Sequence, residues 1–183
     1  MGAYIPFTMI SEQQAIDLLK RYAPDKKTFE LVYNHSDNVR KIALRTAKDI
    51  PGVDKNLIAT GALLHDIGRF QAPPRTEESI THGIKGASIL RKEGLEAHAR
   101  IAERHIGIGI SKEDIKAQNL PLPRKDFLPE TKEELIITYA DNLDHRGEQD
   151  ERYVEERFAK EIGKEYSEKV KEFHKRIHAL KNS

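Results

Sequence analysis

The sequence predicts an all-α fold in a single domain, and three observations carry that expectation. Apolar residues recur at three- and four-residue spacing in segment after segment, and no stretch shows the strict alternation of a half-buried strand. Helix start and stop residues punctuate those segments. The chain has 183 residues, 38% hydrophobic and 33% charged, enough for one sizeable core, and it shows no internal repeat or low-complexity segment.

The elements follow in order. Ser11 with Gln14 forms a capping box for a short helix carrying Ala15, Ile16, Leu18, Leu19 and Tyr22, which Pro24 ends. A second helix from about Lys27 to Ile50 places Leu31, Val32, His35, Val39, Ile42, Ala43 and Ala47 on one face, and Pro51-Gly52 terminates it. Asp54 caps a third helix running through Leu57, Ile58, Gly61, Ala62 and Leu64 to His65-Asp66, with Gly68 placed to stop it. Gln71 to Glu78, with Pro73-Pro74, reads as a loop. Thr81 is a cap for a helix holding His82, Ile84, Ala87, Ile89 and Leu90, closed by Gly94. The next helix carries Leu95, Ala99, Ile101, Ala102 and His105 and ends at Gly107. Ser111 with Asp114 opens a short helix, and Asn119 to Pro129, with three prolines, must be irregular and is expected to be a mobile cover. Thr131 with Glu134 makes a third capping box, for a helix with Leu135, Ile136, Ile137, Tyr139, Ala140, Asp141 and Leu143. A single long amphipathic helix is expected over about 151–180, marked by Val154, Phe158, Ile162, Tyr166, Val170, Phe173 and Ile177.

Composition excludes several function classes. A formal net charge of +1 argues against a protein that coats nucleic acid, and the absence of Cys rules out disulfides, thiolate zinc sites and cysteine nucleophiles. Any metal must then use His and carboxylate ligands. The stretch Met1 to Ile10 lacks a basic n-region and is too short and Pro-interrupted for a leader or membrane span, so the protein is expected to be soluble and cytoplasmic.

His65 and Asp66 are the centre of the functional argument. A buried imidazole beside a buried carboxylate is costly unless the carboxylate is neutralised and the ring lone pair is used, and a divalent cation does both. The alternative is a core His hydrogen-bonded to its neighbours. His35, the pair His65-Asp66, His82, His105 and Asp141 fall on five predicted helices and mostly face inward, as ligands do in helical-bundle metal sites. Four other histidines, His98, His145, His174 and His178, read as surface residues.

The order His, His-Asp, Asp resembles the HD-domain superfamily, and His65-Asp66-Ile67-Gly68 spells the signature of one of its branches. The resemblance covers roughly His35 to Arg146, a core of about 30–146, and includes His82 with Gly86-Ala87 and then His105, a pattern of branches that bind two metals. It looks nearest to the HD-type symmetrical dinucleoside tetraphosphate hydrolases. The resemblance implies that His35, His65, Asp66 and Asp141 bind a first metal and that Asp66, also counted as the catalytic residue, bridges to a second held by His82 and His105. One or two ions of Fe, Mn, Co or Zn are the expected cofactor.

Such a centre lowers the pKa of a bound water from ~15.7 toward neutrality and offsets charge on a phosphoryl group, so no side-chain nucleophile is required. Arg69, Lys85 and Arg146 lie near ligands in sequence and are candidates for phosphate contact, against the plainer reading of surface charge. The expected function is hydrolysis of a small phosphorylated substrate, a nucleotide or related phosphoester. The alternatives are an HD-type di-iron oxygenase and a non-catalytic nucleotide-binding module with a structural metal. Specificity is expected in the loops Gln71 to Glu78 and Asn119 to Pro129. The apolar stripe of the C-terminal helix is expected to pack on its own domain, with a homodimer as the alternative.

Overall fold

The structure, a computed structural model, describes residues 9–182. Most of the Met1 to Ile10 stretch, read above as neither leader nor membrane span, lies outside the described residues. Helices occupy Glu12–Tyr22 (α1), Lys26–Thr46 (α2), Lys55–Leu64 (α3), His82–Lys92 (α4), Glu96–Arg104 (α5), Lys112–Ala117 (α6), Lys132–Leu143 (α7), Glu151–Glu161 (α8) and Lys164–Leu180 (α9). Among the described residues there is no strand, only isolated bridges such as Ile110 with Phe127. No described helix is long and apolar enough to cross a membrane.

The starts of the helices are chemically fixed. The capping boxes of Ser11 with Gln14, Ser111 with Asp114 and Thr131 with Glu134 are all formed, and Asp54 accepts from the Leu57 N–H at 3.0 Å. Thr81 differs from expectation. It makes no side-chain cap, because a 3-10 turn over Glu77–Thr81 delivers the chain into α4 already helical. Gly94, at φ +75°, closes α4 as expected, whereas α5 stops at Arg104 and leaves His105 as its C-cap.

α3 is the axis of the bundle. Every residue from Ile58 to Leu64 is buried, so this helix is apolar all round. Ile58 and Ala62 join Val39, Ile42, Ile101, Ile136 and Ile137 in one core cluster, while Leu63 and Leu64 join Leu18, Leu19, Ile67 and Leu90 in a second. A Cβ on Gly61 would lie 2.6 Å from Ile101 Cδ1 and 3.0 Å from Ile137 Cδ1, so the glycine lets α5 and α7 close on α3.

The C-terminal region is two helices where one was expected. The chain breaks at Ile162-Gly163, and α8 and α9 form a hairpin. Apolar spacing continues across the break, so periodicity alone does not register it. Val170, Phe173 and Ile177 are at most 4% exposed, with Leu135 of α7 sharing a cluster with Phe173 and Ile177. Most of the stripe is covered within the chain, while Ile162 at the break stays 44% exposed.

Two of the histidines read as surface residues are core residues. His98 is 3% exposed and donates from Nε2 to Thr60 Oγ1 at 2.9 Å, since that hydroxyl already donates to Asn56 O. His174 is also 3% exposed, packed edge-on to the Tyr139 ring. His178 is exposed, as expected, and pairs with Glu151. The Asn119 to Pro129 segment is irregular but pinned, with Phe127 2% exposed and exchanging backbone hydrogen bonds with Ile110.

Candidate metal centre

Helix ends carry most of the centre. His65 and His105 follow α3 and α5 directly, His82 begins α4, Asp141 lies in the last turn of α7, and His35 is in the middle of α2. Three of these imidazoles are held the same way. Nδ1 of His65, His82 and His105 lies 2.7, 2.7 and 2.8 Å from the carbonyl three residues earlier, of Ala62, Ser79 and Ala102. A carbonyl only accepts, so Nδ1 carries a proton, and in the neutral form of such a ring it is Nε2 that presents a lone pair.

Those lone pairs converge on two carboxylates. Asp66 Oδ1 lies 3.2 Å from His82 Nε2 and 3.4 Å from His105 Nε2, while Asp66 Oδ2 lies 3.7 Å from His35 Nε2. Asp141 Oδ1 is 3.0 Å from His35 Nε2 and 3.5 Å from His65 Nε2. His82 Nε2 and His105 Nε2 are only 3.0 Å apart, and the buried His65 Nε2 has no hydrogen-bond partner. Lone pairs facing lone pairs and carboxylate oxygens repel in a buried site, and a cation among them removes the conflict. Two sets have ligand atoms within 4.8 Å of one another, His35 with His65 and Asp141, and His65 with Asp66 and His105. Imidazole nitrogen and carboxylate oxygen suit Fe, Mn, Co or Zn, so the residues present fit the expected cofactor.

The electrostatics agree with a site built for positive charge. Burial opposes the charged form of His35, yet Asp141, Asp66 and Asp144 outweigh it and raise its pKa to about 10. Burial also opposes ionisation of Asp66, but positive charge at His65 and hydrogen bonds from His105 and His82, when those rings carry a proton at Nε2, hold its carboxyl well below the usual range, as a cation in their place would. His105, enclosed more completely, is pushed by burial down to about 4.

Gly68 brings the halves of the site together. It lies inside a 3-10 turn over Ile67–Phe70 and does not stop α3 as expected. A Cβ there would meet His82 O at 1.9 Å and Gly86 N at 2.5 Å, so only a glycine lets the Asp66 turn rest on the backbone of α4.

The centre opens into a cavity of about 350 Å³ whose lining includes His35, Asp66, His82, His105 and Asp141. Of the predicted phosphate contacts, Arg69 lines it, donating to Asp66 Oδ1 at 3.3 Å and Ser79 Oγ at 2.8 Å. Lys85 does not; it is paired with Glu78 and Gln71 O. Arg146 is exposed and lies outside the lining, on a turn residue at φ +59°. Neither loop expected to set specificity lines the cavity. Its far wall comes from α8, through Arg157, Phe158 and Glu161, with Ile162 just beyond.

Sequence reasoning missed Asp144, whose Oδ2 accepts from His35 Nδ1 at 2.8 Å and so leaves His35 Nε2 free to face Asp141. It is one turn from Asp141, the only signal that pointed to it. His145, read as a surface residue, is half-buried and lines the cavity, with Nδ1 2.6 Å from the Tyr153 hydroxyl.

The helical bundle and this cluster define a protein with a site able to hold a divalent metal. The HD domain family model matches residues 32–146, and the chain belongs to that family. Among curated proteins, it is 40% identical over 158 residues to an uncharacterized protein of Methanocaldococcus jannaschii, covering 84% of this chain and 88% of the relative. It is 45% identical over 141 residues to a tRNA (cytidine(56)-2'-O)-methyltransferase of Picrophilus torridus, covering 76% of this chain and 37% of the relative. A protein of the same name from Thermoplasma volcanium is 43% identical over 133 residues, 72% of this chain and 36% of the relative, so the match spans about a third of the length of these two enzymes. In fold, the chain is similar to the HD domain of the L. monocytogenes phosphodiesterase PgpH, with a TM-score of 0.57 at 19% identity over 92% of this chain and 93% of that one. The same domain in complex with cyclic-di-AMP gives a TM-score of 0.52 at 21% identity over 78% of each chain.

Proposed function

We propose that this protein is a metal-dependent phosphohydrolase acting on a nucleotide or related phosphoester. One observation carries the reading: imidazole Nε2 atoms, each ring fixed from behind through Nδ1, converge with two carboxylates beside an open cavity. When bound, one or two ions of Fe, Mn, Co or Zn would supply Lewis acidity and an activated water. His35, His65, Asp66 and Asp141 would hold one ion, and Asp66, His82 and His105 would hold the other. The protein's own contribution is placement. Backbone carbonyls and Asp144 set the tautomers, and Arg69, tied to Asp66 and Ser79, keeps positive charge at the cavity wall. Asp66 turns one oxygen toward His35 and the other toward His82 and His105, and it is the residue on which activity depends most.

The nucleotide part of the reading is supported by the similarity in fold to an HD domain bound to cyclic-di-AMP. The relatives named as tRNA methyltransferases match over about a third of their length, and the hydrolytic role is assigned to that matching part alone.

A phosphoester panel of nucleotides, dinucleotides and cyclic dinucleotides tests the reading. Metal-loaded protein is expected to release phosphate or nucleotide from at least one member, and Asp66→Ala to reduce the rate to background. Equal release by wild type and Asp66→Ala on every member would sink it, and iron-dependent oxygen uptake with an organic substrate would replace it with the oxygenase alternative.

A further inference from the structure

Arg157 stands apart from every other cation near the centre. It sits on α8, outside the segment matched by the family model, and lines the same cavity as the ligand cluster. Arg69 spends its guanidinium on Asp66 and Ser79, and Lys85 on Glu78. Arg157 has no carboxylate within 4.0 Å among the described residues. It makes one hydrogen bond, from Nη2 to Asn142 Oδ1 at 3.0 Å, and its buried Nε has no partner.

This cation is nevertheless held in place. Asn142 is 4% exposed, and its Nδ2 donates to Thr138 O at 2.9 Å and to Gly107 O, which fixes the amide so that Oδ1 faces Arg157. The guanidinium carbon lies 5.3 Å from the centre of the Phe158 ring, which supports it from one side. A positioned guanidinium with unused donors and no ion-pair partner within 4.0 Å among the described residues, on the wall of a phosphoester-sized cavity, is a receptor for an oxyanion. Its Nε is enclosed, so the Nη1–Nη2 edge of the planar fork is the one that matches two oxygens of one phosphate.

We infer that Arg157 anchors a substrate phosphate in the cavity that the ligand cluster also lines, with Asn142 as its positioning residue. The inference rests on the phosphohydrolase reading for the identity of the anion. It also narrows the substrate class to organic phosphates that reach both the centre and α8, where the 44% exposed Ile162 offers apolar surface to the organic part.

The test uses metal-loaded full chain with the most active member of the panel and, separately, inorganic phosphate and adenosine monophosphate as probes. Arg157→Gln is expected to raise KM at least tenfold with kcat within about threefold and metal content unchanged, because it removes an anchor and no ligand. Arg157→Lys should recover part of the loss, since charge returns without the fork. In wild-type protein the Arg157 Nε–H resonance should move as adenosine monophosphate is added, and Asn142→Ala should weaken that response. The inference is overturned if Arg157→Gln keeps wild-type KM, or if the Nε–H resonance ignores both probes. If wild type hydrolyses nothing, the phosphohydrolase reading falls, while the resonance still reports whether Arg157 binds a phosphate.

Discussion

Gly68→Ala is a one-methyl perturbation with a large expected effect. The new Cβ would sit 1.9 Å from His82 O and 2.5 Å from Gly86 N, both backbone atoms that no rotamer change can move. Ordinary contact begins near 3.4 Å, so the Asp66 turn and α4 must separate by about 1.5 Å. Overpacking costs of order 1–3 kcal/mol, and contact with backbone on two sides puts this case near ~3 kcal/mol. For a domain of this size each kcal/mol lowers Tm by about 2–4 °C, giving a fall of roughly 6–12 °C. The same displacement pulls His82 Nε2 from its 3.2 Å approach to Asp66, so metal affinity should fall as well. Gly94→Ala is the control. It has φ +75° and open space around the new methyl, so it should lose only the ~1–2 kcal/mol of a left-handed alanine and keep its metal. Thermal unfolding of both variants, with and without metal, measures the two effects. A Gly68→Ala protein with wild-type Tm and wild-type metal affinity would refute the close-approach argument.

Two further outcomes follow from buried groups. Burial depresses His98 to about 4, so the folded state keeps it neutral while the unfolded chain, near 6.5, takes up a proton first. Its contribution is therefore present above about pH 6.5 and lost as pH falls toward 4, and denaturant titrations across that window should show a slope that His98→Gln reduces; an unchanged slope in the variant would exclude His98 as the source. Asp144→Ala leaves His35 Nδ1 without its 2.8 Å partner and should weaken metal binding ~10–100-fold with little change in fold, read by calorimetric metal titration. Wild-type affinity in that variant would mean that His35 does not depend on it.

Much of the architecture was legible because it is local. Ser11, Asp54, Ser111 and Thr131 announce their helices within four residues, and the inward faces of His35, His65, His105 and Asp141 follow from 3.6-residue periodicity. What was not legible depends on contacts between elements. Gly68 looks like a helix stop until α4 is laid against it. His98 follows Glu96 in a charged segment and is buried only because Thr60 of α3 meets it. Arg157 lies in the run Glu155-Glu156-Arg157, which reads as a solvated face, and only the return of α8 onto α7, where Arg157 meets Asn142, brings it to the cavity. Lys85 shows the converse, a cation near a ligand in sequence whose charge is already taken by Glu78.

The central claim is that the converging Nε2 atoms and carboxylates bind divalent metal, and elemental analysis of protein reloaded with iron or manganese tests it directly. Wild type is expected to hold about two equivalents, His82→Ala or His105→Ala about one, and Asp66→Ala, which loses the carboxylate whose two oxygens approach His35 on one side and His82 and His105 on the other, the least of all. Wild-type protein that retains no more metal than Asp66→Ala would contradict the account.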